Sequence, residues 1–303
     1  MAAPRRVVTL LPAATEIVAA LGAGPSLVGV SHECDYPDWV NALPRLTTTP
    51  IDPNHSAARI DEEVRRLRVE SRPVIGVDGE ALRLLAPDLV VTQGLCEVCA
   101  VADGEVHRLA ALLDHPPQII SLSATTVAGI WSDIRRVAAA LGLDAEAERI
   151  VEGLAGRLAR LSAGSQQMEA RRVACIEWLE PLYLAGHWVP QLVAAAGGRD
   201  VGARAGDHST VHSWHEVAAL EPEIVLVMLC GFGVERATRD LDAVTDPVAT
   251  DLLDRVPVWV LDGNAYTSRP GPRVVDGAER IQAALRDREI PGLRRWHPAY
   301  RAA

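Results

Sequence analysis

The chain has 303 residues, a length that accommodates two domains of ordinary size. Its 49% hydrophobic and 23% charged residues are typical of a globular protein with a large core. The net charge of −10 argues against a nucleic-acid-binding function, because phosphates require a concentrated basic surface. No run of the sequence approaches the roughly 18 apolar residues of a membrane span.

The N-terminal stretch MAAPRRVVTLLPAATEIVAALGAG has the composition of a signal peptide, but Glu16 interrupts its apolar part. A strand over RVVTLL and a helix ending at Gly22 account for the same residues. We therefore predict a cytoplasmic protein, whereas a native chain beginning near Gly24 would indicate a periplasmic or cell-surface location. In a cytosolic chain, cysteines are expected to be reduced thiols or metal ligands.

Strands and helices alternate through the first half of the sequence. Helical segments such as AARIDEEVRRLRVE and EVHRLAALL separate short apolar segments rich in β-branched residues, which predict buried strands. This alternation predicts βαβ units with a parallel sheet. The predicted strands cover residues 7–11, 27–30, 88–92 and 118–121, and the predicted N-terminal lobe covers residues 1–124.

Two helical segments follow and form a predicted connector at 125–170. The second segment, DAEAERIVEGLAGRLARLSAGSQQMEA, predicts an almost uninterrupted helix of about 25 residues. The alternation then resumes in a predicted C-terminal lobe, 171–303, with strands at RVACIEW, EIVLVML and VPVWVLDG. Ser213 and Glu216 form a capping-box pattern that predicts the start of a helix.

A short pattern occurs once in each half of the chain. LAPDLVVTQGLC and LEPEIVLVMLCGF both combine a helix end, a proline, an acid and an apolar strand that leads to a cysteine. We interpret the two halves as related lobes. Because ligands of α/β sheets bind beyond the carboxyl ends of the strands, both cysteine-bearing ends are expected to face a cleft between the lobes.

Several stretches together resemble the class III solute-binding proteins, which serve cobalamin and ferric-siderophore uptake by ABC transporters. The stretches RVVTLLPAATEIVAALGAGPSLVGVSHECDYP, LAPDLVVTQ, SWHEVAALEPEIVLV and SRPGPRVVDGAERI carry the resemblance. DYP and EWLEPLYLAG favour the cobalamin-binding branch. The resemblance implies an α/β fold of two Rossmann-like lobes joined by one long connecting helix, with a non-catalytic ligand cleft between them. It also implies an ABC permease as partner.

Mapped onto this sequence, the resemblance implies cleft loops that contact a small metal-containing ligand such as a cobalamin-like corrinoid. Trp178 and Trp188 would supply flat apolar walls for the macrocycle, and His208 or His212 could bind a metal or the cobalt of a corrinoid. The residues expected to contact the ligand are Tyr36, Gln93, Glu177, Trp178, Tyr183, Trp188, His208, His212, Phe232 and Arg269.

Cysteines at the predicted strand ends support a second hypothesis. Cys34, Cys96, Cys99 and Cys230 would converge on the cleft with His32 as a further ligand, whereas Cys175 is expected to be an ordinary buried residue. Thiolates bind zinc, copper(I) or iron–sulfur clusters. A redox role is less favoured, since the C-x-x-C pair follows a strand and not a helix start. In this alternative the cleft cysteines bind a metal ion or an iron–sulfur cluster as a cofactor, either in a binding protein or in a redox or corrinoid-modifying enzyme.

Overall fold

The structure is a computed structural model that describes residues 6–94, 103–165 and 169–297. The chain divides into two compact units, each with its own β-sheet. The predicted division at residues 124 and 170 stays a prediction. The first unit comprises Met1–His55, Glu62–Ala124 and Ala128–Gly153, and the second comprises Ser56–Asp61, Thr125–Val127 and Leu154–Ala303.

The first half of the chain alternates between strands and helices, as predicted. In chain order the elements are β1 (Val7–Thr9), α1 (Pro12–Ala20), β2 (Leu27–Val30), β3 (Thr47–Thr48), α2 (Ala57–Val69), β4 (Gly76–Val77), α3 (Gly79–Leu85), β5 (Leu89–Gln93), α4 (Asp103–Ala110), β6 (Gln118–Leu122) and α5 (Val127–Leu141). A parallel sheet has the strand order β2-β1-β5-β6, and β3 pairs with β4 in a small antiparallel ribbon. Val7, Val8 and Val90 are fully buried, which explains the continuous apolar runs of these strands.

The second half contains a larger, mixed sheet. Its elements are α6 (Asp144–Ala163), β7 (Arg171–Leu179), β8 (Leu182–Leu184), α7 (Val189–Ala196), β9 (Gly198–Asp200), β10 (Thr210–His212), α8 (Trp214–Ala219), β11 (Ile224–Val227), α9 (Val234–Asp242), α10 (Pro247–Arg255), β12 (Val258–Leu261), α11 (Gly263–Tyr266), α12 (Val274–Leu285) and β13 (Leu293–Trp296). The strand order is β10-β8-β7-β11-β12-β13, with β9 beside β7. Strands β7, β9, β11 and β12 are parallel, whereas β8, β10 and β13 are antiparallel to their neighbours.

The start of α8 follows the predicted capping box. Ser213 Oγ accepts a hydrogen bond from the Glu216 backbone N–H at 3.2 Å, and Glu216 Oε2 accepts one from the Ser213 backbone N–H at 2.7 Å. This reciprocal pair satisfies two donors that the first helical turn would otherwise leave unpaired. Among the described helices, none combines the length and the apolar character that a bilayer crossing requires.

Two predicted segments differ from the structure. The connecting helix α6 is 20 residues long and ends at Ala163, short of the predicted 25 or so. Directly after it, the Ser165 hydroxyl is within hydrogen-bond distance of the Leu161 and Ala196 carbonyls, at 3.0 Å from each. The segment expected to be a loop after the strand RVACIEW contains the strand β8, because β7 continues to Leu179 and turns back through Pro181.

Gly263 allows a close approach between two loops of the second sheet. A Cβ atom at this position would collide with the Leu229 carbonyl oxygen and would lie 2.7 Å from the carbonyl carbon of Met228. Gly153, in the middle of α6, has no atom within 4 Å of such a Cβ. The two glycines therefore serve as a matched pair of substitution sites.

We expect Gly263→Ala to lower the free energy of unfolding by about 1–3 kcal/mol, because backbone atoms cannot yield to the added methyl group. Gly153→Ala should raise it by about 0.5–1 kcal/mol, because alanine loses less backbone entropy in a helix. Urea denaturation measures both changes. Equal effects of the two substitutions would contradict the close packing at Gly263.

A partly buried acid lies within the second sheet. Burial raises the pKa of Asp200 to about 6, although hydrogen bonds from the Gly202 and Ala203 backbone N–H groups and the Cys175 thiol act in the opposite direction. Its Oδ1 atom accepts both backbone hydrogen bonds, at 2.8 Å from Gly202 N and 3.1 Å from Ala203 N. The pKa of Cys175 is raised by its own burial and by this carboxylate.

The raised pKa of Asp200 predicts a pH-dependent contribution to stability. Between about pH 4 and pH 6 the folded protein keeps a proton that the unfolded chain has lost, so stability falls as the pH rises through this window. Relative to wild type, Asp200→Asn should gain about 3 kcal/mol in free energy of unfolding between pH 4 and pH 7. The exposed Asp251→Asn should gain less than about 1 kcal/mol. Urea denaturation at both pH values tests this, and an unchanged difference for Asp200→Asn would contradict it.

Candidate functional site

The parallel strands β7, β11 and β12 place their carboxyl ends along one edge of the second sheet. The Cys230 N–H donates to the Glu177 carbonyl at 3.0 Å, and the Asn264 N–H donates to the Phe232 carbonyl at 3.2 Å. These hydrogen bonds join segments that are far apart in sequence. We call this region the carboxyl edge, and it comprises residues 177–188, 230–232 and 264–269.

An aromatic cluster lies on the carboxyl edge. The rings of Trp178 and Phe232 have centroids 5.4 Å apart, and the Arg236 guanidinium lies 4.6 Å from the centroid of Phe232. Tyr183 is directly opposite Trp178 in the β7–β8 ladder, so both side chains lie on the same face of the sheet. Trp178 and Tyr183 are only half-buried. Phe232 and Arg236 therefore hold Trp178 in place, while Trp178 and Tyr183 leave part of their ring surface exposed to solvent.

Trp188 and Arg269 lie deeper in the second unit. The Trp188 indole is 6% exposed and donates from Nε1 to the Thr267 carbonyl at 3.0 Å. Arg269 is 5% exposed and donates to Asn264 Oδ1 at 2.8 Å. Both side chains hold loops of the carboxyl edge in position, and contact between either residue and a ligand stays a prediction.

The predicted histidines of this unit have different environments. His212, in β10, lies with Nε2 2.8 Å from Thr210 Oγ1. His208 is exposed, and its Nδ1 lies 3.2 Å from Nε2 of His187. Burial, and then the charge of His208, lowers the pKa of His187. His187 is not among the residues that the sequence predicted to contact a ligand.

Three predicted residues of the first unit, His32, Tyr36 and Gln93, lie at or beyond the ends of β2 and β5. Tyr36 is 45% exposed, and Gln93 is the last residue of its strand. The His32 ring lies with Nδ1 2.6 Å from Thr47 Oγ1, and burial, followed by the nearby charge of Arg45, lowers its pKa. The role of these residues in ligand binding stays a prediction.

The cysteines do not form a metal site in the part of the chain that the structure describes. Cys96 and Cys99 lie outside the described residues. Cys175 is buried, as predicted, and Cys34 is buried too, at 2% exposed, with its Sγ 3.0 Å from the Thr15 hydroxyl oxygen. The role of Cys34 as a metal ligand stays a prediction. Cys230 is half-buried in the second unit. Within the described ranges, no three His, Cys, Asp or Glu side chains are grouped to hold a metal ion.

Each of the two units has a sheet with neighbouring parallel strands, and polar and aromatic residues lie at or beyond the carboxyl ends of these strands, where ligands of Rossmann-like folds bind. The sequence profile of the family described as "Periplasmic binding protein" matches residues 7–259, and the chain belongs to this family. The predicted class III solute-binding family is thereby confirmed, and the chain is a solute-binding protein.

Individual relatives cover nearly the whole chain. The vitamin B12-binding protein of Salmonella typhimurium is 27% identical, over 94% of this chain and 91% of that protein. The corresponding protein of Pectobacterium atrosepticum is 22% identical, over 95% and 91% of the two chains.

Solved structures share the fold. The periplasmic vitamin B12 binding protein of Vibrio cholerae has a TM-score of 0.65 at 20% identity and covers 94% of this chain and 98% of its own. A periplasmic haem binding protein from Pseudomonas aeruginosa has a TM-score of 0.71 at 21% identity, with 97% and 98% covered. The predicted fold class, two Rossmann-like lobes joined by a long helix, is confirmed.

The predicted cytoplasmic location is wrong. The family to which the chain belongs consists of periplasmic binding proteins, and the solved B12-binding relative is described as periplasmic. The observation behind the prediction holds, since residues 7–20 contain the buried strand β1 and the helix α1. Participation of this segment in the fold, however, does not determine the compartment of the protein.

The hydrogen bond of Trp188 predicts a stability difference between two tryptophans. Trp188→Phe should lower the free energy of unfolding by about 1–3 kcal/mol, because it leaves the buried Thr267 carbonyl without its donor. Trp178→Phe should lower the free energy of unfolding by less than about 1 kcal/mol. This substitution removes the donor to the Glu180 carbonyl, which is exposed and can accept a hydrogen bond from water instead. Chemical denaturation of both variants measures the difference. Equal losses would show that the indole N–H of Trp188 does not anchor this edge.

Proposed function

We propose that this protein binds a corrinoid of the cobalamin type and delivers it to an ABC permease outside the cytoplasm. The observation that carries the proposal is the similarity to vitamin B12-binding proteins along nearly the whole chain, at 22–27% identity. Solved relatives of the same fold include both B12-binding and haem-binding proteins. A tetrapyrrole or related macrocycle is the chemistry that these relatives share.

The aromatic cluster of the carboxyl edge supports a flat, largely apolar ligand. A macrocycle buries most of its area against side chains that are themselves flat, and Trp178 and Tyr183 offer such area on one face of the sheet. Phe232 lies behind Trp178 and is held by Arg236. These contacts reduce the conformational freedom that Trp178 would lose on binding, so more of the contact energy appears as affinity.

The first unit offers a smaller set of candidate contacts. Tyr36 is exposed and follows β2, and Gln93 is the last residue of β5, so both lie beyond the carboxyl ends of parallel strands. We propose that they contact polar substituents of the macrocycle. Zinc or an iron–sulfur cluster at Cys34, Cys96, Cys99 and Cys230 has no comparable support from the described residues.

The proposal predicts that cyanocobalamin binds and quenches tryptophan fluorescence. Trp178→Ala should weaken binding by about tenfold, equivalent to about 1.4 kcal/mol, because it removes the indole of the cluster. The control is Leu112→Ala, an exposed apolar residue of the first unit that should leave the affinity unchanged. Titration calorimetry provides the dissociation constants.

Haemin is titrated in parallel. If haemin binds and cyanocobalamin does not, the ligand of this protein is a haem and not a corrinoid. The ligand would then still be a tetrapyrrole. Binding of neither compound would overturn the proposed function. Equal affinities of wild type and Trp178→Ala for cyanocobalamin would place the corrinoid elsewhere on the protein.

A further inference from the structure

Two loops at the edge of the second sheet are held together by their backbones. The His187 N–H donates to the Asp207 carbonyl at 2.6 Å, and the Gly206 N–H donates to the His187 carbonyl at 2.8 Å. The Gly186 N–H donates to Ser209 Oγ at 3.1 Å. A side chain at Gly186 would collide with the Asp207 carbonyl oxygen. The loops containing His187 and His208 are therefore fixed against each other.

His187 has an uncommon backbone conformation. Its φ angle is +53°, in the left-handed region, where a residue with a Cβ atom is disfavoured. Backbone strain of this kind concentrates at functional sites, where the surrounding structure maintains it. Here the two hydrogen bonds between His187 and the 206–207 loop maintain the conformation. The strained backbone sets the direction of the imidazole ring.

The imidazole of His187 also packs near a side chain that is fixed in position, the Trp188 indole. Its ring centroid lies 5.6 Å from that of Trp188, whose indole is anchored to the Thr267 carbonyl. The His208 ring meets the His187 ring edge-on, with centroids 5.1 Å apart and an interplanar angle of 89°. His208 is exposed, so one side of the pair is open to solvent.

We propose that His187 and His208 form a binding site for a divalent transition-metal ion, with His187 Nε2 and His208 Nδ1 as ligands. The two nitrogens are 3.2 Å apart. Ligand nitrogens at about 2.0–2.1 Å from one ion are separated by about 2.9 Å at a right angle and about 3.3 Å at the tetrahedral angle. The observed separation lies between these values, so a single ion can reach both nitrogens once the two rings rotate away from their mutual hydrogen bond.

Metal binding requires a simple change of tautomer. Each ring keeps its proton on the nitrogen that does not face the ion, Nδ1 in His187 and Nε2 in His208. The hydrogen bond between the two rings is thereby exchanged for two metal–nitrogen bonds, with no net loss of a proton from two neutral imidazoles.

Imidazole nitrogens favour zinc, copper and nickel over magnesium and calcium. Within the described residues no third His, Cys, Asp or Glu completes the group, so water molecules occupy the remaining positions and the ion exchanges readily. The site differs from the metal of a tetrapyrrole, which offers a protein only axial positions on opposite sides of its ring. Two nitrogens 3.2 Å apart cannot occupy both of them. The inference is therefore independent of the proposed corrinoid ligand.

Titration calorimetry of the full chain with Ni²⁺, with the thiols kept reduced, tests the site. Wild type should bind Ni²⁺, and His208→Ala should weaken this binding by at least about tenfold, since even outer-shell partners of a metal are worth about 10–100-fold in affinity. His187→Asn should have the same effect, because asparagine tolerates the left-handed backbone but lacks the imidazole. His215→Ala removes an exposed histidine on α8 and should leave the affinity unchanged.

Circular dichroism confirms that each variant is folded. His208→Ala changes an exposed side chain, so it decides the question even if His187→Asn does not fold. Equal binding of Ni²⁺ by wild type and His208→Ala, or no binding by wild type, would overturn the inference. Ni²⁺ titration of Trp178→Ala distinguishes the two proposals, because this substitution removes the indole of the aromatic cluster and leaves both imidazoles of the metal site in place.

Discussion

Parallel pairing of β7 with β11 and of β11 with β12 is the constraint on which the candidate site depends. Parallel strands direct their carboxyl ends to one edge, so three segments separated by many residues meet there without any local sequence signal. Their loops then bond to one another through backbone groups, as between Cys230 and Glu177. The absence of a side chain at Gly263 permits the closest of these approaches.

Buried and accessible side chains have different roles on the carboxyl edge. Trp188 and Arg269 are almost fully buried and make hydrogen bonds that fix loop positions, whereas Trp178 and Tyr183 are half-buried and keep part of their rings accessible. A buried tryptophan with a hydrogen-bonded N–H contributes apolar contact area and has a fixed ring orientation. Loss of Trp188 would therefore loosen the loop that carries His187. Affinity at such a site comes largely from this preorganisation.

Continuous apolar runs predicted the parallel strands, because strands buried on both faces, as at Leu89, Val90 and Val91, have no alternation of polar and apolar residues. The short strand β8, Leu182–Leu184, was missed because three residues carry no period and its pairing with β7 depends on a turn. The burial of Cys34 depends on packing against Val30 and Val40 and is not encoded in its spacing. His187 was missed for a similar reason, since its partner is 21 positions away and its backbone conformation has no local signature.

The cost of the His187 backbone bears on why an imidazole is found there. A left-handed conformation costs a residue with a Cβ atom about 1–2 kcal/mol, and glycine at the same position would avoid that cost. A hydrogen bond between two neutral rings at an accessible position stabilises the folded state by at most about 1 kcal/mol. The two backbone hydrogen bonds between His187 and the 206–207 loop contribute as well, so the fold itself maintains the conformation. Ala86 and Glu221 also have positive φ angles, so the conformation does not by itself require a ligand. What the backbone of His187 provides is a ring held beside His208, which is the arrangement that the proposed ion uses.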